Sequence, residues 1–171
     1  MRHKRDVNAY EYVTRILRDG SDADFEELIS LVEGFPGGTD GLLERRWILT
    51  AIDVGSVRAV AWMIHKGADL SFVDAEGYSP VLTAIESSCA AKYEIIELLL
   101  KNGAPTDVHG VNDWTPLHLA AARNDVESLK LLVKFGADVT ARTRIDDYAT
   151  PLEEALTLGC EAAVTFLKGV A

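Results

Sequence analysis

Gly34, Gly67, Gly103, Gly136 and Gly169 recur at intervals of 33, 36, 33 and 33 residues, and each follows a short apolar stretch of helical character. The third residue back from each glycine is Leu31, Ile64, Leu100, Val133 or Phe166, and the fifth is Ile29, Trp62, Leu98, Leu131 or Val164. A helix that stops at a fixed glycine, with the same positions apolar each time, is one unit repeated. Such a period points to a solenoid and away from a globule around one central core. The glycine recurs because the residue after a helix most cheaply turns left-handed, a conformation glycine takes without a Cβ clash. On this reading Leu131 belongs to the buried face.

The flanks repeat as well. Gly67-Ala68-Asp69, Gly103-Ala104-Pro105 and Gly136-Ala137-Asp138 share a pattern, and helix starts recur at Arg46-Trp47, Ser79-Pro80, Thr115-Pro116 and Thr150-Pro151. A hydroxyl followed by proline opens a helix well, because the oxygen caps free amides and proline tolerates the first helical position. The unit is a turn-rich connection, a short helix, a tight turn, a longer helix and a glycine stop. Helices are expected near 7–18, 22–33, 47–53, 57–66, 80–87, 92–101, 116–122, 126–135, 151–157 and 161–168.

Thr115-Pro116-Leu117-His118-Leu119-Ala120, with Gly136-Ala137-Asp138-Val139 downstream, resembles the ankyrin repeat and its TPLHxA and GAD segments. Ser79-Pro80-Val81-Leu82-Thr83-Ala84-Ile85 is a drift of the pattern, and Trp47-Ile48-Leu49-Thr50-Ala51-Ile52 shares Leu-Thr-Ala-Ile with it. Thr150-Pro151-Leu152-Glu153-Glu154-Ala155 carries glutamate where the family has histidine. The resemblance implies an all-α ankyrin-repeat solenoid of about five helix-turn-helix units with β-hairpin loops and atypical capping units at both ends. The whole chain, 1–171, reads as one such domain: a capping helix pair at 7–40, repeats at 41–73, 74–109 and 110–142, and a C-terminal capping repeat at 143–171.

Charge narrows the partners. The first five residues hold three of the 17 basic side chains, so the rest of the chain carries 14 basic against 27 acidic groups. Such a surface repels phosphates, and no basic stripe interleaved with aromatics is visible, which argues against nucleic acid. It favours a basic protein partner, or serves solubility alone. No apolar run approaches the roughly 18 residues of a membrane span, and no signal-peptide pattern follows the basic start. The expectation is a soluble, cytoplasmic monomer that stands alone. Cys89 and Cys160 fall in helix–helix turns of the second and fourth repeats and are read as free thiols.

Catalytic chemistry finds little footing. In the ankyrin resemblance His118 is structural, bonded to the threonine hydroxyl and the connecting loop. His65 sits in the last turn of a helix, where positive charge is favourable; His109 lies in a turn and His3 in the N-terminal tail. No Cys and His residues have zinc-ligand spacing. Gly34-Phe35-Pro36-Gly37-Gly38-Thr39-Asp40-Gly41 is glycine-rich but lacks a GK[ST] ending and reads as a connection. The pairs Glu153-Glu154 and Asp146-Asp147 read as solvated faces or helix-end charges. No enzyme, cofactor or metal is expected.

Binding is the better expectation. The resemblance implies that partners are held by hairpin tips and the exposed side of each first helix, which together form a concave groove. Position by position this selects Leu43, Arg45 and Asp53; Glu76, Tyr78 and Glu86; Val111, Asn112, Trp114 and Arg123; and Asp146 with Asp147. Tyr78 and Trp114 occupy matching places in adjacent hairpins and are expected to form an exposed aromatic pair, the residue types most enriched at binding hot spots. The alternative is that both rings pack flat on their own hairpins. The stretch Glu86–Tyr93 is three residues longer than its counterpart in the third repeat, and the hairpin around 142–147 is two longer. Insertions in solenoids go to loops, often on the binding side. The leading function is a non-catalytic protein-interaction module, an adaptor or an occluding inhibitor. Small ankyrin proteins of bacteria supply an alternative, an immunity-type inhibitor of a basic toxin; a further one is an enzyme or small-ligand binder on the same scaffold.

Overall fold

Side-chain caps, an apolar stripe and left-handed stops recur along the helices of this chain. A computed structural model describes residues 3–40, 44–145 and 148–170. Among them lie ten α-helices: α1 (His3–Asp19), α2 (Asp22–Leu31), α3 (Trp47–Asp53), α4 (Val57–His65), α5 (Pro80–Glu86), α6 (Lys92–Lys101), α7 (Pro116–Ala122), α8 (Val126–Lys134), α9 (Pro151–Thr157) and α10 (Glu161–Val170). The all-α class and, from α3 onward, the alternation of short and longer helices are as the period implies; in the first pair the longer helix comes first. α1 begins four residues earlier than expected and α2 ends two earlier. No strand occurs among the described residues; the hairpins close through single bonds such as Asp74 N–H to the Tyr78 carbonyl (2.9 Å) and Gly110 N–H to the Trp114 carbonyl (2.9 Å). An isolated bridge joins Thr39 and Arg46.

The chain forms two compact units, residues 1–69 with 87–95, and residues 70–86 with 96–171. In the first, α1 packs on α2 and α3, α4 on α2 and α3. Its interior is aromatic: Phe35 lies 6.0 Å from Trp47 edge-on and 5.8 Å from Trp62 stacked, and Phe25 lies 5.4 Å from Trp62. Cys89, at the longer turn of the second repeat, seats its Cβ 2.9 Å from where a Cβ on Gly55 would stand. That insertion is therefore a packing element of the unit. In the second unit α7 packs on α5, α8 and α9, and α10 on α8 and α9.

Gly67, Gly103 and Gly136 do stop helices, with φ of 83°, 85° and 86°. After each, the alanine N–H reaches back to a carbonyl five residues earlier: Ala68 to Met63 (3.0 Å), Ala104 to Leu99 (3.1 Å) and Ala137 to Leu132 (3.0 Å). These bonds satisfy carbonyls the helix end would otherwise leave open. The two outer glycines behave differently. Gly169 lies inside α10, and Gly34, at φ 77°, comes after a helix that has already ended at Leu31. Equivalent stops, unread in the sequence, close the short helices at Gly55, Asn124 and Gly159.

The buried stripe also differs from the one read off the sequence. Trp62 and Leu100 are buried as read, but Ile29 and Leu31 are exposed and Leu131 and Val133 only half-buried, whereas Met63, Leu99 and Leu132 are fully buried. So are Val60, Ile96 and Leu129, and Ala59, Ile95 and Ser128. The stripe thus runs four, seven and eight residues before the glycine. Residues three and four apart share a helical face, whereas positions two apart point to opposite sides.

One hydrogen-bond relay ties successive repeats of the second unit. The fully buried His118 accepts at Nδ1 from the Thr115 amide (3.3 Å) and hydroxyl (2.8 Å). A backbone N–H can only donate, so the ring proton sits on Nε2 and is donated to the Ala149 carbonyl at 2.9 Å. Glu153 takes the histidine's place in the last repeat, accepting from the Thr150 amide at 2.7 Å while Arg142 lies 3.1 Å from the same carboxylate. Glu153 is thus a cap rather than a merely solvated charge. Across the short-helix turns, Asn124 Oδ1 accepts from Ala163 N–H (2.8 Å) and the half-buried Cys160 thiol donates to the Ala122 carbonyl (3.3 Å). Both cysteines are free.

The packing can be tested at two positions. Leu132→Ala lowers the unfolding free energy by about 2–5 kcal/mol in chemical denaturation, and Leu131→Ala by clearly less; equal losses would contradict the stripe. The second position is His118, and its test is pH. Burial pushes the His118 imidazole below its ordinary 6.5, against the opposing pull of its bond to Ala149. Above 6.5 both folded and unfolded chains hold it neutral and its bonds contribute in full. As pH falls below that, the unfolded chain takes the proton first, so stability drops toward the lowered folded value. Denaturation at about pH 7.5 and about pH 5 should therefore show a larger acid loss for the wild type than for His118→Gln. Identical acid losses would place the histidine outside the fold's proton balance.

Candidate functional site

The second repeat reads Ser79-Pro80-Val81-Leu82 against Thr115-Pro116-Leu117-His118 in the third, and the change of chemistry falls at Leu82, which stands where the third repeat has His118. A leucine makes no relay and instead supplies apolar surface. Leu82 is buried, and its Cδ1 occupies the space that a Cβ on Gly110 would need. Gly77, at φ 88°, faces the same crossing: a Cβ there would meet the Val111 nitrogen at 2.8 Å. Glycine at both positions lets the two hairpins meet backbone to backbone, with Val111 N–H donating to the Gly77 carbonyl at 3.2 Å.

Beside this crossing lies a cavity of about 60 Å³. Leu82 and Leu119 supply its apolar surface, Tyr78 and Trp114 line it, and Val111, Asn112 and Glu86 complete it. The two aromatic residues are half-buried rather than fully exposed, and they share one concavity. Tyr78 is held by a turn in which Asp74 Oδ1 accepts from the Tyr78 amide (2.8 Å) and the Glu76 amide (3.0 Å), the usual use of Asp in tight turns.

The Trp114 hairpin is more constrained. Asn112 and Asp113 both sit at φ 57°, a left-handed conformation uncommon outside glycine. The Arg144 side chain and backbone amide both bond the Asp113 carboxylate, with Nε 3.0 Å from Oδ1. The guanidinium's hydrogen bonds hold the Asp113 carboxyl down at about 2, so it stays ionised across the neutral range. The longer hairpin before α9 is thereby braced against the Trp114 hairpin. On its other side Arg142 donates to the Tyr148 carbonyl at 2.7 Å, and Tyr148, at φ 50°, is 59% exposed.

The residues selected from the sequence divide into three groups. Tyr78, Glu86, Val111, Asn112 and Trp114 line the one cavity. Glu76 is exposed on the turn before Tyr78, and Arg123 comes directly after α7 with its guanidinium 3.9 Å from the Glu86 carboxylate and 3.5 Å from the Glu86 carbonyl. Arg45 and Asp53 belong to the N-terminal unit, where they pair with each other at 2.7 Å. Leu43, Asp146 and Asp147 lie outside the described residues. Leu82, Leu119 and Gly77 were not selected, yet they shape the cavity. Leucine replaces the motif's histidine at Leu82, but Leu49 of the first repeat shows the same replacement and does not line this cavity, so the signal is shared. Among the described residues no group of His, Cys, Asp and Glu side chains could hold a metal ion, and no helix is long and apolar enough to cross a membrane.

Comparison with known proteins places the chain. The family model described as ankyrin repeats (3 copies) matches residues 47–143 and again residues 88–170. The chain is 34% identical over 107 residues to the RelA-associated inhibitor of Mus musculus, covering 63% of this chain and 12% of that protein. It is 33% identical over 114 residues to the tyrosine-protein kinase HTK16 of Hydra vulgaris, covering 63% and 14%. Against the B-cell lymphoma 3 protein homolog of Mus musculus it is 31% identical over 103 residues, covering 60% and 22%. The match thus spans less than a quarter of each of these relatives. With the motif, the paired helices, the left-handed stops and the family match in agreement, the chain belongs to the ankyrin-repeat family, a generally non-catalytic family whose repeats serve protein–protein interaction.

Proposed function

We propose that this chain is a non-catalytic protein-binding module whose contact surface centres on the cavity between the Tyr78 and Trp114 hairpins. The observation that carries this reading is the shared lining: two aromatic residues one repeat apart, with Leu82 and Leu119 beside them and Glu86 in the same cavity. A volume of about 60 Å³ is well below the roughly 300–1,000 Å³ of small-molecule sites. It suits one apolar side chain of a partner, held between aromatic anchors of the kind enriched at binding hot spots.

Charge sets the partner's chemistry. Among the described residues the Glu86 carboxylate is met by a long, solvent-exposed contact with Arg123, and such pairs contribute little. Its carboxylate can therefore receive a cation from a partner. With Glu76 exposed nearby in sequence and a formal chain charge of −10, a segment that places an apolar residue next to Lys or Arg is favoured. The likeness to a protein named as an inhibitor supports a mode of action by occupancy, in which the partner surface bound here is closed to others.

Peptides selected by display against the chain provide the test. The selected peptides should share an apolar residue beside a basic one, and Trp114→Ala should weaken their binding roughly thirtyfold. The thermal midpoint of that variant should move far less than that of Leu132→Ala. A binding loss that merely tracks the unfolded fraction would make the tryptophan a packing residue and remove the groove's main anchor.

A further inference from the structure

Of the three tryptophans, Trp47 and Trp62 are 3% and 7% exposed in the aromatic interior of the N-terminal unit, whereas Trp114 stands half-buried on a hairpin. The Trp114 backbone is already committed: its amide donates to the Val111 carbonyl at 3.1 Å, and its carbonyl accepts from the Gly110 amide at 2.9 Å. The indole Nε1 is left open, since it keeps contact with solvent and bonds to no other described residue. The exposed Asn112 carboxamide on the same hairpin is open in the same way. Both side chains line the cavity they share with Tyr78. An indole nitrogen can only donate, so a partner laid against this ring is asked for an acceptor. The hairpin is also fixed in advance, by φ 57° at Asn112 and Asp113 and by the bonds from Arg144 to Asp113, so little ordering falls on the protein's side.

That donor discriminates among the backbone conformations a partner can bring. A helical segment spends its carbonyls on its own ladder and leaves only the last few free. A β-strand needs a strand edge to pair with, and no strand occurs among the described residues. A polyproline II segment has no internal hydrogen bonds, so every carbonyl along it is free. Such segments dock in aromatic-lined grooves, where the pyrrolidine ring lies against flat side chains. They are stiff before binding, which suits a cavity of about 60 Å³, too small to offset the ordering of a flexible chain. We propose that the cavity between the Tyr78 and Trp114 hairpins takes a proline of a polyproline II segment, with a backbone carbonyl accepting the Trp114 indole proton and a neighbouring basic residue meeting Glu86. This deepens the protein-binding reading of that cavity and rests on it.

A random-peptide phage library with no bias toward proline, selected on the full chain, is the probe. The binders should carry proline beside a basic residue and show the circular dichroism of polyproline II when free. Replacing that proline by alanine in the peptide should weaken binding about tenfold, because both the ring contact and the stiffness are lost. Trp114→Phe keeps an aromatic face and removes the donor; affinity should fall about 3–10-fold, the worth of one hydrogen bond. If circular dichroism shows that variant unfolded, the proline-to-alanine comparison on the wild type decides. Binders that need Trp114 but lack proline, or that bind as helices, overturn the polyproline II proposal and leave the protein-binding reading standing. So does a folded Trp114→Phe that keeps wild-type affinity. Binders indifferent to Trp114→Ala, or a selection that yields none, remove the site and the proposal with it.

Discussion

The imidazole of His118 is the constraint on which the C-terminal unit most depends. It accepts from Thr115 at its own helix start and donates to the Ala149 carbonyl 31 residues on, directly before the cap of the next short helix. Burial keeps the ring neutral, and neutrality is what leaves one nitrogen free to accept while the other donates. Neighbouring repeats carry other residues in the same register and pay out its role differently. Glu153 keeps the cap and exchanges the long-range bond for contact with Arg142. Leu82 abandons the polar role altogether and becomes part of the cavity beside Tyr78 and Trp114.

Scaffold and site are therefore alternative uses of one sequence position. Where His118 stands, two repeats are bonded together; where Leu82 stands, apolar surface is left beside two hairpins that glycines at 77 and 110 allow to touch. The Asp113–Arg144 clamp then holds the Trp114 hairpin from the far side. An ionised Asp113 across the neutral range makes that brace insensitive to moderate acid, unlike the His118 relay.

Much of this was legible in the residues. The glycine period, the Ser/Thr-Pro starts and the Thr-Pro-Leu-His motif are short-range signals, and they locate the helices to within a few residues. The stops at Gly67, Gly103 and Gly136 hold, because a left-handed residue after a helix is a local backbone requirement. Gly169 and Gly34 fit the period without fulfilling it, since spacing alone does not reveal the backbone angle or where a helix has already ended. The error over Leu131 has a geometric cause: positions two apart cannot share a helical face, and the buried residue was Leu132. Long-range facts were out of reach. Nothing near Arg45 announces its pairing with Asp53, and nothing near Trp47 announces a buried N–H without a partner. The crowding of Leu82 against Gly110 depends on residues 28 apart meeting in space.

The claim most exposed to test is that Tyr78 and Trp114 act on one occupant because they line one cavity. A double-mutant cycle on the affinity of a selected peptide, using Tyr78→Ala, Trp114→Ala and the double variant, measures this directly. Residues that grip the same side chain should couple by about 0.5–3 kcal/mol. Losses that add to within about 0.5 kcal/mol would mean the two rings act independently, and the shared cavity would not be the binding site.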